Sequence, residues 1–233
     1  CCHHAPSEKA ALAEQGYEAY HRRVYDTLAK AVGPGTIIVE HAPSGRYGQV
    51  RSKAIDELSA TAVLGRDYGF CVATENMRDV LRSPDEMQDI LDHVQGLCWT
   101  FDAAHAGYSG VDPSSFIPMF DERLANVHVY DVHRVPIWLG DWLPVGLGEI
   151  PWVPILAGLQ EVAYDGPLTI ELTEESLRAV VAVCDEVLHA CSPGTPLLGA
   201  LPWEDLFVRY ARQSLIALCS ELSLFRRGWG PKQ

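Results

Sequence analysis

The sequence of 233 residues has no long uninterrupted hydrophobic run, although 48% of its residues are hydrophobic. A helix that crosses a bilayer needs about 20 consecutive apolar residues, so no membrane-spanning segment is predicted. The chain also lacks an opening basic segment followed by an apolar one, which would indicate a secretory signal peptide. These absences favour a soluble protein without a membrane partner, and we expect it to be cytoplasmic.

Positive charge is scarce as well. The chain has 18 lysines and arginines against 31 aspartates and glutamates, which leaves a formal net charge of −13. Proteins that bind a phosphate backbone usually carry a basic surface. We therefore expect no nucleic-acid partner, whereas a small substrate held by a few local side chains remains compatible with this charge.

The seven cysteines form no Cys-x-x-Cys motif, and their number is odd. Several lie in apolar runs, where a free cysteine behaves as a small hydrophobic residue. This pattern is typical of a reducing compartment and predicts no framework of structural disulfides.

Four short apolar runs each end in an acidic or imidazole side chain. The runs are 69–76, 96–105, 125–131 and 166–173, and their polar ends are Glu75, Asp102, His128 and Glu171. Each run reads as a buried strand, and parallel strands of one sheet place their carboxyl ends on the same face. Oxygen and nitrogen ligands would then converge, which predicts a site for a divalent metal ion.

Strands and helices alternate along the chain, which predicts an α/β fold with a parallel TIM-barrel-like (β/α) barrel as a single domain over 1–233. Strand-like segments at 1–6 and 36–43 precede the four above, which gives six. Because a closed barrel needs eight strands, we expect the first two to lie upstream of Cys1. Extra C-terminal helices include an insertion at about 174–202, which could cover the open edge of the barrel, form a lid or contact a second copy in a homo-oligomer.

Each candidate ligand also has an ordinary structural explanation when it is taken alone. A glutamate at a strand end can cap a loop, Asp102 can cap the helix after it, and His128 lies between Val127 and Val129 as a core histidine would. Buried carboxylates are costly unless they are paired or bound to metal. The occurrence of all four at corresponding strand ends therefore favours the ligand interpretation.

Six motifs in order resemble the xylose isomerase-like TIM-barrel superfamily, which contains sugar isomerases and epimerases, dehydratases and endonuclease IV-type nucleases. The motifs are HAP (4–6), EHAP (40–43), TEN (74–76), DAAH (102–105), HVYD (128–131) and VGLGEIPWVPILAGLQEVAYDGPLTIEL (145–172). The resemblance implies that the principal metal ligands are Glu75, Asp102, His128 and Glu171. It also implies that His105 touches the substrate or a further metal ion.

Four other residues are candidates for substrate binding: His4, His41, Arg134 and Trp142. The resemblance also allows His4 and His41 to hold a second metal, and Arg134 could instead form a surface salt bridge. Trp142 could form an apolar surface against a sugar ring, or it could have only a packing role. The endonuclease-type Asp-x-His pair is absent, because Leu143 stands where its histidine would be. A carboxylate-rich site suits Mn²⁺, Mg²⁺ or Co²⁺, and added histidines would favour Zn²⁺.

These residues predict a metal-dependent isomerase or epimerase of a small sugar or polyhydroxy carbonyl compound, acting by proton transfer through an enediolate. One of Glu75 and Glu171 would take the proton next to the carbonyl, and the other would deliver a proton on the opposite face, assisted by His105. The alternative is a metal-dependent hydrolase of a phosphoester or glycosidic bond in a small nucleotide-like substrate, with a second metal at His4 and His41. A third hypothesis is a scaffold with a remnant site that binds no metal.

Overall fold

The computed structural model describes residues 2–4, 16–132, 143, 145 and 148–172. Its strands are β1 (Cys2–His4), β2 (Ile37–Glu40), β3 (Cys71–Glu75), β4 (Cys98–Asp102), β5 (Leu124–Val129) and β6 (Leu168–Ile170). Its helices are α1 (Tyr17–Leu28), α2 (Tyr47–Tyr68), α3 (Pro84–His93), α4 (Ala103–Tyr108) and α5 (Trp152–Glu161), with a 3₁₀ helix at Pro113–Met119. This alternation confirms the predicted α/β class.

The strands form one sheet in chain order from β1 to β6. Each neighbouring pair from β1 to β5 is parallel, and the amide of Val127 donates to the carbonyl of Pro167 at 3.2 Å where β6 joins β5. Parallel strands joined by helical crossovers are the repeating unit of a TIM barrel. The described strands thus form part of such a barrel, as the sequence predicts.

The chain divides into two compact units. The first comprises Cys1–Val129 with Pro154–Thr169, and the second comprises Tyr130–Val153 with Ile170–Gln233. The single-domain organisation stays a prediction, and the insertion expected at about 174–202 lies outside the described residues. No helix in the described part is both long and apolar enough to cross a membrane.

Two local features differ from what the sequence pattern indicates. The pattern of 76–94 indicates helical turns with a fresh start at Ser83, but α3 begins only after Ser83, whose hydroxyl caps it by accepting from the amide of Glu86 at 3.3 Å. Leu81 has a φ of 54°, outside the helical region. The segment after β4 reads as a loop in the sequence, yet α4 starts immediately, because the Asp102 side chain caps it. Six residues are too few to show a helical hydrophobic period.

The outer face of the sheet packs aromatic side chains against the helices. Trp99 and Phe101 of β4 meet Phe116 and Phe120, which lie in and just after the 3₁₀ helix, with ring centroids 5.3–6.2 Å apart. All four are almost completely buried, and burial of one such side chain contributes about 1.5–3 kcal/mol. This cluster fixes β4, and with it the carboxyl end that carries Asp102.

A buried polar group holds α1 against the end of β2. The carboxylate of Glu40 accepts from the hydroxyl of Tyr25 at 2.8 Å and lies 3.4 Å from Nε2 of His21. Its backbone carbonyl accepts from the hydroxyl of Thr74 in β3 at 3.0 Å. Because both groups of Glu40 are bonded, the end of β2 is held in place just before His41.

We expect the stabilising contribution of His21 to disappear at high pH. Burial lowers the pKa of His21, but the hydrogen bond and charge of Glu40, with help from Glu57 in α2, raise it above its ordinary value. A raised pKa in the folded state means that the contribution is full below the unfolded value of about 6.5 and is lost as pH rises through the folded value.

The measurement is urea unfolding of wild type and His21→Gln at pH 6 and pH 9. Tyr17, Tyr25, Glu40 and Glu57 are present in both proteins, so the difference in stability reports the interactions that His21 makes with its neighbours. The stability gap between the proteins should be larger at pH 6. An equal gap at both pH values would contradict the prediction.

Substitution of Gly65 by alanine is expected to lower the free energy of unfolding by about 1–3 kcal/mol, because the new methyl group overpacks the interface between α2 and β3. A Cβ at Gly65 would lie 2.3 Å from Cγ2 of the buried, β-branched Val72. Gly48→Ala in the same helix is the matched control, since its Cβ would meet nothing within 4 Å. That change should stabilise by up to about 1 kcal/mol, and thermal unfolding of both variants tests the pair.

Candidate metal centre

The register of the sheet aligns three of the predicted ligands at one end of the first unit. Asp102 lies directly opposite His128 in the pairing of β4 with β5. Glu75 lies opposite Thr100, two residues before Asp102, in the pairing of β3 with β4. Because side chains alternate along a strand, Glu75, Asp102 and His128 share one face.

Glu75 contacts three imidazoles. Its Oε1 lies 3.0 Å from Nδ1 of His105 and 3.3 Å from Nδ1 of His128, and its Oε2 lies 3.2 Å from Nε2 of His41. The side chains of Glu75 and His128 are each only 1% exposed, whereas those of His105 and His41 are 18% and 36% exposed. His41 and His105 are therefore the more exposed partners of a buried carboxylate.

Asp102 uses its two oxygens for different purposes. Oδ1 accepts from the backbone amide of His105 at 2.7 Å and so caps α4. Oδ2 is buried and lies 3.5 Å from Nδ1 of His128 and 3.6 Å from Nδ1 of His105. Within the described residues Oδ2 accepts no hydrogen bond. The capping and ligand interpretations of Asp102 are therefore compatible, since each needs one oxygen.

The charges of the cluster are set by burial and by one another. Burial raises the pKa of Glu75, but hydrogen bonds from His105, His128 and His41 lower it well below its ordinary value. Burial lowers the pKa of His105, but the charge of Asp102 and the contact with Glu75 raise it to about 9. Burial raises the pKa of Asp102. Glu75 is thus ionised and His105 protonated at neutral pH.

The donor set fits a divalent cation. Glu75, Asp102 and His128 each offer one ligand atom, and these atoms lie within 4.8 Å of one another. Two carboxylates this close and this deeply buried repel each other unless a positive charge lies between them. Oδ2 of Asp102, which no described donor satisfies, is the oxygen that such a cation would use.

Asn76 is a residue of the centre to which sequence reasoning assigned no role. It follows Glu75 directly and is completely buried. Its side-chain amide forms hydrogen bonds with the backbone N–H and the backbone C=O of Asp102. Its own backbone carbonyl accepts from Nδ1 of His105 at 3.0 Å. Its position immediately after a strand-end glutamate was the available signal.

The structure describes the other predicted site residues only in part. Glu171 directly follows β6 and belongs to the second unit, so its role as fourth ligand stays a prediction. His4 lies opposite Val39 in the sheet, but its side chain is not among those described. Arg134 and Trp142 lie outside the described residues.

The second unit has its own anchoring carboxylate in Asp131. Its Oδ1 accepts from the backbone amides of Val132 at 2.9 Å and Ile150 at 3.0 Å. A Cβ at residue 148 would lie 2.2 Å from this oxygen, so only glycine fits there. These contacts show that Asp131 fixes the backbone on both sides of this loop, at Val132 and at Ile150.

Comparison with known families matches residues 4–188 to the family described as xylose isomerase-like TIM barrel. Among curated proteins, the chain is 30% identical over 157 residues to the uncharacterized protein MJ1311 of Methanocaldococcus jannaschii. That alignment covers 63% of this chain and 51% of the relative. The chain therefore spans about half the length of the curated relative that it matches.

Two solved structures show the same fold at low sequence identity. The D-allulose 3-epimerase of Methylomonas sp. in complex with D-allulose has a TM-score of 0.57 and 18% identity, covering 73% of this chain and 60% of the other. The IOLI protein with a bound zinc atom has a TM-score of 0.58 and 17% identity, covering 76% of this chain and 68% of the other. The similar structures thus include a sugar epimerase.

Proposed function

The chain belongs to the xylose isomerase-like TIM-barrel family, and from this premise we propose that it is a divalent-metal-dependent isomerase or epimerase. The substrate is a small sugar or another polyhydroxy carbonyl compound. The observation that carries the proposal is the convergence of Glu75, Asp102 and His128 at one end of the parallel sheet, with ligand atoms within 4.8 Å.

Glu171 completes the proposed ligand set. It comes immediately after β6, just as the other proposed ligands lie at or near the ends of their strands, and this position supports its assignment as the fourth ligand. Mn²⁺, Mg²⁺, Co²⁺ and Zn²⁺ all suit a site of carboxylates and one imidazole. When bound, such a cation supplies Lewis-acid chemistry that polarises a carbonyl group.

The side chains themselves divide the proton transfer. Glu75 is ionised because three imidazoles hold its pKa low, so it can accept the proton from the carbon next to the carbonyl. Glu171 is assigned the opposite face of the substrate, where it returns a proton. The intermediate is an enediolate of the substrate. Protonated His105 donates toward the oxygen on which negative charge develops.

His41 has a supporting role in this scheme. Its Nε2 lies 3.2 Å from Oε2 of Glu75, while more than a third of its side chain faces outward. It can therefore hold the carboxylate on one side and bind a substrate hydroxyl on the other. Similarity to an epimerase solved with D-allulose supports ketoses as the first compounds to test.

The test combines metal analysis with isotope exchange. Purified protein should contain one divalent ion per chain and should exchange the carbon-bound proton of a ketopentose or ketohexose with D₂O, detected by NMR. Removal of the ion with a chelator should stop the exchange, and re-addition of Mn²⁺, Co²⁺ or Zn²⁺ should restore it. Protein that neither contains nor binds any of these ions would refute the proposal.

A metal-dependent hydrolase remains the second candidate because of one contact. His41 touches Glu75, so this carboxylate could be shared by two cations in a site that activates water. Two or more ions per chain, together with release of phosphate or sugar from a small nucleotide-like substrate, would favour hydrolysis over isomerisation.

A further inference from the structure

We infer that Asn76 is a positioning residue of the metal centre, whose side-chain amide sets the spacing between the carboxylates of Glu75 and Asp102. This role rests on the proposed metal centre and deepens it. Asn76 is uncharged and completely buried, and it acts on the ligands through the backbone.

The amide of Asn76 forms two hydrogen bonds with the backbone of one residue. Its Nδ2 donates to the carbonyl of Asp102 at 2.7 Å, and the amide of Asp102 donates to Oδ1 of Asn76 at 2.8 Å. The backbone pairing of β3 with β4 extends only to Glu75 opposite Thr100. The side chain therefore continues the ladder by two residues on β4, beyond the end of β3.

This clamp restrains both carboxylates. Glu75 is covalently attached to the clamping residue, and Asp102 is held through its N–H and its C=O. Oδ1 of Asp102 is in turn occupied by the amide of His105 at 2.7 Å. Oδ2 is then the oxygen of Asp102 that can bind a cation. Its direction is set by the hydrogen bonds to the backbone of Asp102 and to Oδ1.

The backbone carbonyl of Asn76 also orients the ring of His105 by accepting from its Nδ1. Nδ1 of His105 lies 3.0 Å from the carbonyl of Asn76 and 3.0 Å from Oε1 of Glu75. A carbonyl oxygen can only accept, so Nδ1 must donate. Nε2 is then the nitrogen of His105 available to a substrate.

No other side chain of this size makes both bonds. Aspartate can accept from the amide of Asp102 but cannot donate to its carbonyl, and it would add a buried negative charge beside two others. Alanine makes neither bond. These two substitutions therefore separate geometry from charge, because a negative charge alone would tighten cation binding.

The experiment is calorimetric titration of Mn²⁺ into the full chain as wild type, Asn76→Ala and Asn76→Asp, with thermal unfolding of each. Asn76→Ala is expected to raise the dissociation constant by about 10–100-fold, as loss of a residue that orients a ligand does. Asn76→Asp should also bind Mn²⁺ more weakly than wild type, despite its added charge. Leu58→Ala, in the buried face of α2, is the control that lowers the melting temperature without touching the centre.

The outcomes distinguish a failure of the proposed metal centre from a failure of the positioning role of Asn76. Wild-type protein that binds neither Mn²⁺ nor Zn²⁺ would end the proposed metal centre itself. If wild type binds but both Asn76 variants bind as tightly, the centre stands and the positioning role is wrong. Equal weakening by Leu58→Ala would show that general destabilisation is the cause, which also overturns the role. If Asn76→Ala does not fold, Asn76→Asp decides: weaker binding supports the role, and unchanged or tighter binding refutes it.

Discussion

Replacing Glu171 by glutamine is expected to lower kcat/KM for proton exchange by about 10²–10⁴-fold, the usual contribution of a general acid or base. Glutamine keeps the size of the side chain but can neither take up a proton nor supply a negative charge to the cation. Cation binding should weaken in the same variant. The measurement is the NMR exchange rate in D₂O on the ketose that wild type accepts, with Mn²⁺ at saturating concentration.

The control is Glu161→Gln at the exposed end of α5. It removes the same charge from the chain without altering the proposed centre, so its exchange rate and cation affinity should equal those of wild type. Full activity in Glu171→Gln would exclude Glu171 as a proton carrier and would require another residue to act on that face of the substrate.

Asp102→Asn is expected to reduce cation affinity on the order of 100-fold or more, beyond what an orienting residue contributes. The substitution preserves the shape of the side chain, and an asparagine oxygen can still accept from the amide of His105 and cap α4. Only the buried, charged Oδ2 is lost. Calorimetric titration with Mn²⁺ gives the affinity directly.

The stability of the metal-free protein should respond in the opposite way to Asp102→Asn. Burial raises the pKa of Asp102, so its charged form is unfavourable beside the carboxylate of Glu75. A neutral residue of the same shape should therefore leave the melting temperature unchanged or raise it. A variant that is strongly destabilised and yet binds Mn²⁺ normally would mean that Asp102 serves the fold and not a metal ion.

The variants Glu171→Gln and Asp102→Asn probe different parts of one hypothesis. The Asp102 variant tests cation binding almost alone, because one oxygen of Asp102 caps α4 and the other is the proposed ligand atom. The Glu171 variant tests cation binding and proton transfer together. A protein in which Asp102→Asn abolishes affinity while Glu171→Gln retains turnover would keep a metal centre but need a different chemistry.

The sequence alone was sufficient for the order of the strands and for the convergence of three side chains. Apolar runs of five or six residues are local signals, and a polar residue at the end of each run is visible without any knowledge of pairing. Once the strands are parallel, their carboxyl ends must meet, so Glu75, Asp102 and His128 could be placed together before any coordinates. The short helix α4 and the non-helical 76–82 could not be predicted this way, since a cap and a single left-handed Leu81 decide them.

Only the tertiary structure revealed how the side chains are bonded within the centre. The contact of His41 with Glu75 and the clamp of Asn76 on Asp102 join residues 34 and 26 positions apart. Such contacts depend on the exact register of neighbouring strands, and a shift of one residue would turn each side chain to the other face. Local residue types therefore determined which groups reach this end of the sheet, whereas the pairing of the strands decided which of them touch.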